Sequence, residues 1–91
     1  MVEGKTKSGF KFSIDERVLS DWRLISSISL AESDELTDRV KGITELVHLL
    51  LGKNENALIE HIKKKNQGFV PTEAITSELA NIISSAKELK N

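Results

Sequence analysis

Leu49-Leu50-Leu51-Gly52, followed after a polar stretch by Gly68-Phe69-Val70-Pro71, decides the fold class. Each glycine stands just past an apolar-periodic run, where a helix ends on a left-handed residue that glycine adopts without strain. Pro71 has no N–H and suits the first turn of a new helix, where that donor has no intrahelical partner; Thr72 is the alternative cap. Two helix stops and one helix start so close together predict a helical domain with tight connections.

Working back from Gly52, Leu36, Val40, Ile43, Val47 and Leu50 recur at alternating steps of four and three, the stripe of an amphipathic helix over about 35–51. Ser33 caps it, with Asp34 and Glu35 where the helix dipole favours acids. Gly42, inside this helix, costs about 1 kcal/mol relative to alanine. Close approach of another helix and a tolerated defect both account for it. Working forward, Asn54 caps a short helix over about 55–66. Its apolar face is thin (Ala57, Leu58, Ile59, Ile62), and Lys63, Lys64 and Lys65 crowd its C-terminal end. A last helix over about 72–89 carries Ile75, Leu79, Ile82, Ala86 and Leu89 at the same spacing. These two strong stripes are expected to pack on each other.

Toward the N-terminus, Asp15 caps a helix over about 16–31. Val18, Trp22, Ile25 and Ser29 share one face, flanked by Leu24 and Ile28, and Trp22 is the largest side chain on offer to the core. Phe10, Phe12 and Ile14 alternate with Lys11 and Ser13, a strand signal. A lone strand leaves its backbone unpaired, so it needs a partner, and Gly68-Phe69-Val70 is the other β-like segment. The expectation is a mainly α, compact four-helix domain over 9–91, with a short two-stranded ribbon pairing 9–14 with 68–70 and a flexible tail at 1–8.

At 91 residues the chain has room for one domain and a small core. Thirteen basic against 14 acidic residues give a net charge of −1, which argues against generic nucleic-acid binding. No cysteine means no disulfide and no thiolate metal site, which fits an intracellular protein. The first residues have no apolar core of a secretory signal, and no apolar run is long enough to cross a bilayer.

The search for chemistry returns little. His48 and His61 are the two histidines; Glu45, three residues before His48, makes half of a carboxylate–histidine site with it at best, and otherwise an ordinary surface pair. Ser26, Ser27, Ser29, Ser84 and Ser85 sit on helices without a nucleophile elbow or a placed base. No phosphate-binding glycine loop occurs. The expectation is therefore no catalytic residue, no metal and no cofactor. The three lysines could suit a helix-turn-helix, but the helix they end begins with Glu55, and acid there repels phosphate. A small DNA-binding or antitoxin-like regulator is kept as the alternative. Leu24, Ile28, Leu46 and Leu49 lie off the main stripes. They make either a wide internal contact or a partner-binding surface, and they are the candidate site residues.

In order and spacing, Gly9-Phe10, Ile14-Asp15, Asp21-Trp22, Leu49-Leu50-Leu51-Gly52, Gly68-Phe69-Val70-Pro71-Thr72-Glu73-Ala74 and Lys87-Glu88-Leu89-Lys90-Asn91 resemble the tail assembly chaperones of long-tailed phages and prophages of Gram-positive bacteria. The resemblance implies a small helical, non-enzymatic protein without a cofactor. It implies binding to the tape measure protein, keeping that protein's hydrophobic helices soluble while tail-tube protein polymerises around it. It implies action in the bacterial cytoplasm, absence from the finished virion, and in many members a longer frameshifted product. Homo-oligomerisation stays open.

Overall fold

The computed structural model describes residues 1–89. Lys90 and Asn91, the end of the expected domain range, lie outside the described residues. The chain is mainly helical (71%) with one two-stranded antiparallel sheet. In order it forms β1 (Val2–Lys5), β2 (Lys11–Ile14), a 3-10 turn (Glu16–Ser20), α1 (Trp22–Ala31), α2 (Leu36–Leu51), a second 3-10 turn (Gly52–Asn54), α3 (Glu55–Lys65) and α4 (Thr72–Leu89).

The ribbon exists, but its second strand comes from the expected tail. β2 pairs with β1 in the register Val2↔Ile14, Glu3↔Ser13, Gly4↔Phe12 and Lys5↔Lys11. Thr6 closes the hairpin. Its carbonyl accepts from Gly9 N at 2.9 Å, its N–H donates to Phe10 O at 2.9 Å, and its buried hydroxyl accepts from Phe10 N at 3.1 Å. Gly9, at φ +94°, supplies the left-handed residue this turn needs. Adjacent strands joined by a short turn lose less chain entropy on pairing than strands far apart in sequence, so the local hairpin wins. Phe69 is exposed, and its N–H bonds Asn66 O at 3.1 Å.

The first helix is also shorter than its pattern suggested. Asp15-Glu16-Arg17 and Asp21-Trp22-Arg23 repeat one device. In each, the aspartate accepts from the arginine backbone N–H (3.0 Å at Arg17, 2.8 Å at Arg23) and pairs with its guanidinium. The first caps the 3-10 turn and the second restarts the chain as α1. This break rotates the face. Leu24 and Ser27 are buried, whereas Trp22 is 76% exposed and Ile25 51% exposed. Trp22→Ala is thus expected to change unfolding free energy by no more than about 0.5 kcal/mol, against the 3–5 kcal/mol of a buried tryptophan. Urea denaturation checks this, and indole emission should be that of a solvated ring.

The arginine side chain, then its backbone N–H, hold each aspartate down to about 2 from an ordinary 3.8. A carboxyl with a depressed folded-state pKa stabilises the fold fully above its unfolded value and loses that contribution as pH falls through the folded one. NMR titration should place both midpoints near 2. Midpoints at 3.8 would show that the caps do not form in solution.

α1 and α2 form an antiparallel pair whose contact is set by Gly42. A Cβ there would lie 2.6 Å from Ser27 O and 2.8 Å from Leu30 C, so α1 rests on the α2 backbone. Close approach is the reason for this glycine. The fully buried Ser27 hydroxyl sits at the same contact, 2.7 Å from Arg23 O and 2.8 Å from Glu45 Oε2. The chief partner of α2 is therefore α1, while α4 lies chiefly on β1. Within α2, Ile43, Leu46, Val47, Leu50 and Leu51 are buried, but Leu36 and Val40 extend the stripe into solvent.

Gly52 ends α2 at φ +51° with its N–H on His48 O. At the end of α3, Gly68 N donates to Lys63 O at 2.9 Å, and the left-handed positions are both Gln67 (φ +54°) and Gly68 (φ +92°). The stop is thus a Schellman closure with glutamine at C′. Asn54 makes no side-chain cap; it belongs to the 3-10 turn. Pro71 O accepts from Ala74 N and Ile75 N and so begins α4. One core joins Phe10, Phe12 and Ile14 of the ribbon region to Leu24, Leu50, Leu58, Ile62, Leu79, Ile82 and Ala86.

Candidate functional site

The fold places α1–α2 and α4 on a shared core yet leaves a cleft between their outer faces. Gly42 draws α1 down onto α2, and α4 is held back against β1. The result is an open groove of about 530 Å³. Ile28 and Ala31 of α1 form one wall, Ile43 and Leu46 of α2 the floor, and Leu79, Ala80 and Ile83 of α4 the other wall. Glu32 stands on the α1 rim and Lys87 on the α4 rim. Ala31 and Ala80 keep the trough open. Ile28 and Ile83 pack against the core on one side and face the groove on the other.

The candidate residues divide three ways. Ile28 and Leu46 come together in the groove. Leu24, 1% exposed, is core, and Leu46, 5% exposed, reaches the groove only as its floor. Leu49 is half-buried on a different face, in a shallow depression with Arg23, Glu45 and His48. Ile43, Leu79, Ala80 and Ile83 were missed as site residues. The doublet Ile82-Ile83 was the available signal, since it widens the apolar face of α4 beyond a single stripe.

The polar residues make local clamps. Glu45 turns to Ser27 rather than to His48, and His48 Nδ1 lies 3.0 Å from Glu55 Oε1 on the surface. Ser8 Oγ donates to Glu78 Oε2 at 2.7 Å. Its one proton is then committed, so His61 Nε2, 2.9 Å away, is the donor to Ser8. The imidazole also packs against Phe10, ring centroids 5.5 Å apart. In a serine nucleophile the histidine would instead accept the hydroxyl proton, with the acid behind it. Here the carboxylate accepts a hydrogen bond from the serine directly, and the cluster fastens the hairpin turn to α3 and α4. Lys7 N, donating to Asn81 Oδ1, reinforces it.

Among the described residues, no group of three or more His, Cys, Asp or Glu side chains could hold a metal ion, and no helix is long and apolar enough to cross a membrane. No protein-family model, curated protein or solved structure matches this chain.

Proposed function

We propose that this protein is a non-enzymatic assembly chaperone of a long-tailed phage or prophage, binding the tape measure protein and assisting tail-tube assembly. The groove between α1–α2 and α4 carries the reading. A chaperone for exposed helices must offer apolar surface that water tolerates. A recessed trough does this, because small residues and charged rims limit the exposed patch while one face of an amphipathic helix fits inside. Ile28 and Ile83 are the wall contacts for client side chains, and Leu46 is the floor. Action in the bacterial cytoplasm and absence from the finished virion belong to the same proposal.

Co-expression with a tape measure segment tests it. The wild-type chain should hold the segment in the soluble fraction. Ile83→Glu, which places a charge on a half-exposed wall, should lose it while keeping the helical circular-dichroism signal. A wild-type chain that leaves the segment insoluble would remove the proposal. Salt-dependent DNA binding would favour the regulator instead.

A further inference from the structure

The groove has a ridge beside it made by the same helix. Ile25 and Ile28 of α1 and Glu32, just past its end, fall at steps of three and four, so they share a stripe that climbs from the groove wall to the solvent. Ile25 at its outer end is half exposed. On α2 the stripe that floors the groove runs on through Val40 and Leu36, both uncovered. One face of the molecule therefore presents an apolar trough and an apolar ridge side by side, with an acid on one rim and a base on the other.

Such a face offers both halves of a two-fold contact, an α1 ridge to lie in a trough and an acidic rim to meet a basic one. The charges support this choice of occupant. Glu32 is the C-terminal cap residue of α1, where the helix dipole disfavours an acid, and among the described ion pairs none involves it or Lys87. A cation delivered from outside relieves that position.

We infer that this face binds a second copy of the chain, in a two-fold dimer in which Glu32 of each copy pairs with Lys87 of the other. The inference does not depend on the client reading, since it needs no client. If both hold, the second copy covers the groove until a client helix displaces it.

Sedimentation over a concentration series up to about 1 mM, the weak edge of measurable affinity, tests the dimer. The wild-type chain should show a monomer–dimer equilibrium. Glu32→Lys and Lys87→Glu, each alone, should weaken it by roughly tenfold or more, because each creates two like-charge contacts per dimer. Mixing the two variants should restore it, since the heterodimer regains both opposite-charge pairs. Circular dichroism confirms that each variant is folded. A wild-type chain that is monomeric throughout would overturn the inference. So would dimers indifferent to both substitutions, or variants that fail to recover on mixing.

Discussion

Gly42→Ala is expected to destabilise the fold, although alanine is the better helix former. Propensity alone would return about 1 kcal/mol. Against this, the new methyl meets the Ser27 carbonyl at 2.6 Å and the Leu30 carbonyl carbon at 2.8 Å. These are backbone atoms of a neighbouring helix, so no rotamer change relieves them, and α1 must move as a body. Overpacking costs typically about 1–3 kcal/mol, and a rigid backbone obstacle puts this site at the upper end or beyond. The net loss should be about 2 kcal/mol or more, a fall in Tm of about 10 °C for a domain of this size. Thermal melts of Gly42→Ala beside wild type decide it. An unchanged or raised melting temperature would show that α1 and α2 do not touch at this glycine. Moving α1 also moves Ile28 and Ala31, so the same substitution should impair the groove.

Leu24→Ala carries the second large effect. The side chain is 1% exposed and belongs to the cluster that unites the ribbon, the helical pair and α4. Truncating a buried leucine removes its transfer free energy and leaves a cavity, together about 2–5 kcal/mol. A 91-residue domain has a modest total stability, of which this is a large share. Equilibrium urea unfolding should show a lowered midpoint. Ile25→Ala, one position along and 51% exposed, should cost much less. Equal costs at the two positions would mean that the face of α1 is assigned wrongly.

That pair of residues shows where sequence reading succeeded and where it failed. The stripe of α4 was legible because Ile75, Leu79, Ile82 and Ala86 repeat over several turns and are buried, although Leu89 at its end is exposed. The stop at Gly52 was legible because positive φ has a residue signature, whereas at the end of α3 Gln67 takes the C′ position at φ +54° and Gly68 follows it. The face of α1 was not, since Val18 and Trp22 were placed on one continuous helix, and Asp21 restarts the chain between them. Asp21 carries a signal, a second Asp-x-Arg six residues after the first, but it lies inside an apolar pattern that a continuous helix also explains. β1 was missed because Val2 is its only large apolar residue. Gly4, which faces the Phe12 ring, read as loop punctuation. The groove is a relation between three helices, and no periodicity within one helix encodes it. Ile28 and Leu46 stand out as apolar excess; Ile43 and Leu79 belong to stripes that read as wholly internal, and Ile83 falls outside the α4 stripe.

Isoleucine methyl NMR offers the most direct test of the account, because isoleucines line the groove and also lie far from it. Adding a soluble amphipathic helix from a tape measure protein should shift the methyl signals of Ile28, Ile43 and Ile83, which border the groove. Ile14 of the ribbon and Ile62 of α3, both buried away from it, should stay in place. Shifts confined to the groove isoleucines are the predicted result. A titration that moves none of the three, or that moves the ribbon and α3 methyls instead, would contradict the claim that this groove is where the protein holds its client.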